Sequence, residues 1–204
     1  MRYYKFPKWS KRLYPEAIWD FSFLPGKSIY LTFDDGPEPG VTNFVLDLLD
    51  KFNAKATFFC LGEKVKEHPE LYQEIISRGH SVGNHGMAHL NGLKTSNVKY
   101  WKDVKDASEL IDSDLFRPAY GKIKSSQYKM IKEAGFKVVF WSAMAYDFDE
   151  TLASEKRIEK MKALTFNGSI FVFHDNKKSF ETLKNDLPQL MEWWKINEYT
   201  FKSV

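Results

Sequence analysis

The chain has 204 residues, of which 43% are hydrophobic and 28% charged, with a formal net charge of +3. This suits a single α/β domain with a substantial core. The 30 basic and 27 acidic residues nearly cancel and are spread along predicted helices, which argues against a nucleic-acid partner; one cysteine, Cys60, excludes an internal disulfide framework.

Residues 1–27 read as an irregular lead-in, because Pro7, Pro15 and Pro25 prevent long helices. Trp9, Tyr14, Trp19 and Phe21 in this segment are expected to cover one end of the core. Met1 to Asp20 lacks a continuous apolar run, so neither a secretory signal nor a membrane span is expected there, and the default location is the cytoplasm. Residues 28–204 form the expected catalytic domain. Its first strand, Ser28 to Phe33, precedes a helix from Val41 to Phe52 with Val41, Val45, Leu48, Leu49 and Phe52 on one face.

The second strand is Ala56 to Cys60, where the cysteine reads as an inert buried residue. Pro69 opens a helix that stops at Gly79, and the third strand runs from His80 to Asn84. A helix from Asn97 to Ile111 is expected to turn Val98, Trp101, Val104 and Ile111 inward. The short fourth strand, Leu115 to Arg117, is ended by Pro118, and Ser125 or Ser126 caps the next helix. The fifth strand, Phe136 to Ser142, is apolar throughout, as a strand covered on both faces should be. After a helix from Ser154 to Leu164, the sixth strand spans Ser169 to Phe173. A last helix, Phe180 to Trp194 with a break at Pro188, precedes a terminal strand from Tyr199 to Val204.

Strict alternation of strand and helix predicts parallel strands with right-handed crossovers. Seven strands fit either a barrel one strand short of the usual eight or an open doubly wound sheet. No Gly-x-Gly-x-x-Gly run follows the first strand, so a dinucleotide fold is not supported.

The chemistry-bearing residues fall at the carboxyl ends of separate strands. Asp34 and Asp35 follow the first, His85 and His89 the third, Arg117 and Tyr120 the fourth, Asp147 the fifth and His174 the sixth. In a parallel architecture these ends share one face, where sites are built. Two imidazoles four positions apart, with one carboxylate, make an N,N,O donor set suited to zinc or a similar divalent ion. The other carboxylate of the adjacent pair could take a proton from water that such an ion acidifies. His174 could then donate to a leaving group, Asp147 could hold it protonated, and Arg117 could fix a carboxylate in register.

The motifs TFDDGP, HxxxH, RPAYG, WSAMAYDF and FVFHD, in this order, resemble those of the polysaccharide deacetylases with the NodB homology domain, carbohydrate esterase family 4. The resemblance covers about residues 28 to 175. It implies a deformed (β/α)7 barrel and a metal-dependent enzyme that removes N-acetyl groups from N-acetylated amino sugars of a glycan. A catalytically silent carbohydrate-binding homologue and an amidohydrolase acting on a small non-sugar amide are the alternatives.

Carried over residue by residue, Asp34 is the general base, while Asp35, His85 and His89 hold one divalent ion, zinc first, with cobalt or nickel as substitutes. His174 is the general acid tuned by Asp147, and Arg117 positions the base. The backbone N–H of Tyr120 helps stabilise the oxyanion, Trp141 and Phe148 form the substrate wall, and Phe173 lines an acetyl pocket. A monomer is expected. The chain departs from the family pattern at Gly86, Ala119, Ser142 and Phe148. Gly86 lacks a hydroxyl that can brace the histidine loop, which implies weaker metal binding; Ala119 loosens the turn that aims Tyr120, and Ser142 bears on the substrate wall.

Overall fold

A computed structural model describes residues 4–7 and 9–204. In chain order the elements are α1 (Ser10–Leu13), β1 (Ser28–Asp34), α2 (Val41–Lys51), β2 (Thr57–Cys60), α3 (Gly62–Glu67), α4 (Pro69–Ser77), β3 (Ser81–Asn84), α5 (Asn97–Ser108) and β4 (Leu115–Phe116). They continue with α6 (Ser125–Glu133), β5 (Lys137–Val138), β6 (Ala143–Met144), α7 (Ser154–Ala163), β7 (Ser169–His174), α8 (Phe180–Ile196) and β8 (Thr200–Lys202). The sheet order is β5-β4-β3-β2-β1-β7-β6, with β8 beside β1, and every pairing is parallel. The architecture is the expected deformed (β/α)7 barrel.

All seven residues of β1 are buried, so both of its faces are covered. Because side chains alternate along a strand, Ile29, Leu31 and Phe33 join the layer under the helices with Phe173, Leu183 and Trp194. Tyr30 turns the other way, into a barrel interior shared with Phe59, Val139, Trp141 and Val172. A third apolar group, including Trp19, Tyr100, Phe116 and Phe140, packs beneath α5 and α6.

The apolar stretch expected as one strand from Phe136 to Ser142 is instead two short strands. β5 pairs with β4 at one edge of the sheet and β6 pairs with β7 at the other. Residues 139–142 cross the gap between these edges, so one unbroken strand cannot satisfy both. The lead-in fills the seam. Ile18 donates to Val138 at 2.8 Å and accepts from Phe140 at 2.8 Å, forming a parallel bridge with Val139. The Ser142 hydroxyl donates to the Trp19 carbonyl at 3.1 Å and accepts from the Ile170 amide at 3.1 Å. Ser142 thus ties the lead-in to β7.

Other expectations also need correction. Trp9 is 62% exposed, whereas Trp19 is buried, so only part of the lead-in's aromatic set covers the core. α5 is rotated from its predicted face: Val98 is 81% exposed, while Tyr100, Asp103, Val104 and Ala107 are buried. α8 runs through Pro188 without a break. Buried Leu183, Leu187, Leu190 and Met191 anchor it on both sides, and the Gln189 side chain donates to the Asn185 carbonyl at 2.8 Å, next to the disrupted rung. α3 had no signal beyond a short polar run. Among the described residues no helix is long and apolar enough to cross a membrane.

Candidate metal-binding and acid–base site

The register between β1 and β7 pairs Asp34 with His174 and Phe33 with Phe173. Asp34 and His174 therefore leave neighbouring strands on the same side. Phe173 leaves on the opposite side and lies in the core, its ring 5.9 Å from that of Phe33. The expected acetyl-pocket role does not fit the Phe173 side chain, because a residue preceding His174 on a strand must face away from it.

Arg117 is fully buried at the end of β4. Its Nη1 donates to Asp34 Oδ1 at 2.7 Å and to Thr32 Oγ1 at 2.6 Å, while Nε and Nη2 donate to the Val139 and Phe140 carbonyls at 3.3 and 3.1 Å. The guanidinium also lies over the Phe59 ring at 4.0 Å. Burial pulls Arg117 below the usual guanidinium range and the Asp34 carboxylate opposes that pull. Five groups thus set the direction of Arg117, and Arg117 sets Asp34.

His174 is held as firmly. Its Nδ1 lies 2.7 Å from Asp147 Oδ1, and its backbone N–H donates to Asp147 Oδ2 at 2.7 Å. Burial alone would lower this imidazole, but the Asp147 carboxylate, helped by Asp35 and Asp34, raises it to about 9. The loop carrying Asp147 is anchored from behind by Arg157, which donates to the Tyr146 carbonyl at 3.3 Å and pairs with Asp186 at 2.5 Å. The Phe148 ring stands edge-on to His174 with centroids 5.0 Å apart.

Asp35, His85 and His89 form a separate group whose donor atoms all lie within 4.8 Å of one another. Asp35 Oδ1 is 3.2 Å from His89 Nε2 and 3.6 Å from His85 Nε2. That oxygen is buried and receives no hydrogen bond, while Oδ2 accepts one from Asn176 at 2.8 Å. His85 Nδ1 donates to the Arg117 carbonyl at 2.8 Å in the tautomer that leaves Nε2 free to ligate. Burial would raise Asp35, yet His174, His85, His89 and the Asn176 amide hold it below the usual carboxylate value. Burial and the neighbouring His85 push His89 down to about 4, so it is a neutral imidazole at pH 7. A buried carboxylate oxygen without a donor, facing two imidazole nitrogens, fits a divalent cation.

The loops bearing these groups are strained. Asp35, His89, Tyr120 and Tyr146 have φ values of 81°, 54°, 60° and 57°, in a region L side chains seldom adopt. Tyr120 is 55% exposed and its ring packs on His89 with centroids 4.4 Å apart. Trp141 does not form an open wall: it is buried against Phe6 and lies beneath Gly121. None of the site residues borders the 220 Å³ cleft between Ala17, Trp19 and Phe23 on the lead-in.

The sequence profile described as polysaccharide deacetylase matches residues 23–139, more than half of the chain. The chain belongs to the polysaccharide deacetylase family. Within it, a peptidoglycan-N-acetylglucosamine deacetylase of Bacillus cereus is 41% identical over 184 residues, covering 87% of this chain and 86% of that one. A chitooligosaccharide deacetylase of Rhizobium leguminosarum bv. trifolii is 32% identical over 166 residues, covering 78% and 77% respectively. The crystal structure of the Bc1960 peptidoglycan N-acetylglucosamine deacetylase superposes with a TM-score of 0.88 at 27% identity, covering 98% of this chain and 95% of that one. A pseudoenzyme of carbohydrate esterase family 4 from Bacillus anthracis shares the fold, with a TM-score of 0.76 at 20% identity over 87% of this chain and 64% of that one.

Several groups that support the site were not singled out from sequence. Asn176 orients Asp35. Asp175 accepts from the Gly36 amide at 3.1 Å and the Thr42 hydroxyl at 2.6 Å, pinning the turn after the Asp pair. Burial, with the Asp35 charge adding to it, raises Asp175 to about 8. Its place directly after His174 was the available signal. Gly86 does not leave the histidine loop without a brace: the Asn84 side chain accepts from its amide at 2.7 Å. The turn at Ala119 is closed by Gly121 donating to the Pro118 carbonyl at 2.9 Å.

Proposed function

We propose that this polysaccharide deacetylase is a metal-dependent hydrolase that removes N-acetyl groups from N-acetylated amino sugars of a glycan. The observation that carries this reading is the buried, donor-free Asp35 Oδ1 between His85 and His89, set beside a base and an acid that the protein already orients. A divalent cation held by Asp35, His85 and His89, zinc by its N,N,O donor chemistry, would supply Lewis acidity to the scissile carbonyl and to water.

Asp34 accepts a proton from the water that adds to the amide carbon. Arg117, donating to Asp34 Oδ1, holds that carboxyl group in place for the transfer. The Tyr120 amide, presented by a left-handed turn, donates to the oxygen that gains charge. His174, protonated at neutral pH, gives its proton to the sugar nitrogen as the C–N bond breaks, releasing acetate and a free amine. Asp147 prevents the imidazole from losing that proton early. Phe148 beside His174 and the exposed Tyr120 ring flank the position of the sugar.

The B. cereus relative at 41% identity is named for peptidoglycan N-acetylglucosamine, which makes that glycan the first substrate to try. The test is acetate release from peptidoglycan fragments and from chitooligosaccharides with Zn²⁺ or Co²⁺ present. Release from at least one N-acetylated glycan is expected. If none releases acetate at saturating metal, the reading fails.

A further inference from the structure

We propose that Asp103 is a positioning residue for the His85–His89 pair, and that its carboxylate adds to the left-handed backbone at position 86 in restricting that position to glycine. The inference rests on reading Asp35, His85 and His89 as a divalent-cation site.

Asp103 sits on the buried face of α5, among Tyr100, Val104 and Ala107. A carboxylate placed inside a helix interface needs partners, and its partners lie in the histidine loop. Oδ2 accepts from the Met87 amide at 2.9 Å and Oδ1 from the Ala88 amide at 3.0 Å. These are two of the three amides between the candidate ligands. Gly86 has φ +84°, and a Cβ there would lie 2.5 Å from Asp103 Oδ2, closer than real Cβ contacts come.

The opposite edge of the loop is fixed too. The Gly86 and Met87 carbonyls accept from the Gly62 and Glu63 amides at 3.0 and 3.1 Å, in the first turn of α3. Residues 86–88 are therefore clamped by acceptors from α5 and donors from α3. His89 follows directly at φ 54°, with Nε2 3.2 Å from Asp35 Oδ1. Holding the peptide units before it sets where that imidazole points. A carboxylate from α5 thus does the bracing for which a hydroxyl at position 86 was expected.

The test measures Zn²⁺ affinity by competition with a chromophoric chelator, together with the visible spectrum of the Co²⁺-loaded protein, which reports ligand geometry. Asp103→Ala is expected to weaken Zn²⁺ binding by about 10–100-fold and to alter the Co²⁺ spectrum. Asp103→Asn, which keeps one acceptor oxygen, should fall between it and wild type; if Asp103→Ala does not fold, this variant carries the test. Gly86→Ala should weaken binding in the wild-type background and cost less when combined with Asp103→Ala, because the clash is then relieved.

Wild-type affinity and spectrum in both Asp103 variants would overturn the inference, as would a Gly86→Ala penalty of equal size in both backgrounds. If the wild-type protein binds neither Zn²⁺ nor Co²⁺, the cation-site reading itself fails and takes this inference with it.

Discussion

The acid–base half of the site and the three-ligand half differ in how far the protein completes them. Around Asp34 and His174, the positioning is done from within. Arg117 reaches Asp34, Thr32 and two seam carbonyls, and Asp147 grips both the ring and the backbone of His174. Around Asp35 the same care is taken with the outer atoms only. Asn176 holds one carboxylate oxygen and the Arg117 carbonyl holds His85, yet the inward oxygen, Asp35 Oδ1, has no hydrogen-bond donor among the described residues. On the proposed reading, one half is preorganised for proton transfer and the other would hold a divalent cation.

The two halves should separate on mutation. Asp34→Asn should keep divalent-ion binding while lowering turnover by about 10²–10⁴-fold, the range for losing one general base. Initial rates and bound metal measured on the same sample check both parts. Retained turnover would remove Asp34 from the base role.

The next effect is on the pH profile. His174 is raised to about 9 in the folded protein from an ordinary value of 6.5. The charged acid therefore persists through neutral pH, and rates should fall as pH rises through about 9. Asp147→Asn removes the largest favourable influence, so this alkaline limb should move to lower pH. The same shift makes a stability contribution that is fully present below pH 6.5 and is lost as pH rises through about 9. A pH–rate profile of the variant with its alkaline limb unmoved would contradict the pairing.

The smallest effect belongs to the outer support of the ligand half. Asn176→Ala should weaken Zn²⁺ by roughly tenfold, the low end for removing a group that orients a ligand. Turnover at saturating Zn²⁺ should change little, because Asn176 touches neither Asp34 nor His174 in its bonded contacts. A variant with unaltered affinity would show that Asp35 needs no such support.

Much of this site could be read before the fold, and the misses have identifiable physical causes. Asp34, Asp35, His85, His89, Arg117, Asp147 and His174 stand at the ends of apolar runs, and parallel topology brings those ends together. Phe173 was misplaced because a motif neighbour was given the face of His174, although strand alternation assigns it the other. Asp103 stands between Lys102 and Lys105, and no local pattern marks it as buried. Its role depends on the rotation of α5, which Val98 wrongly set. The break in the fifth strand depends on Ile18, more than a hundred residues away in sequence, and no local pattern announces it.

The central claim is that the Asp35–His85–His89 cluster takes a cation on which amide hydrolysis depends. The direct measurement is acetate release from N-acetylglucosamine oligomers or peptidoglycan fragments while Zn²⁺ is titrated into the metal-stripped protein. Activity should rise from near zero to a plateau at one ion per chain, and His89→Ala should stay near zero under the same titration. Full activity in the stripped protein with chelator present, or a plateau unchanged in His89→Ala, would contradict it.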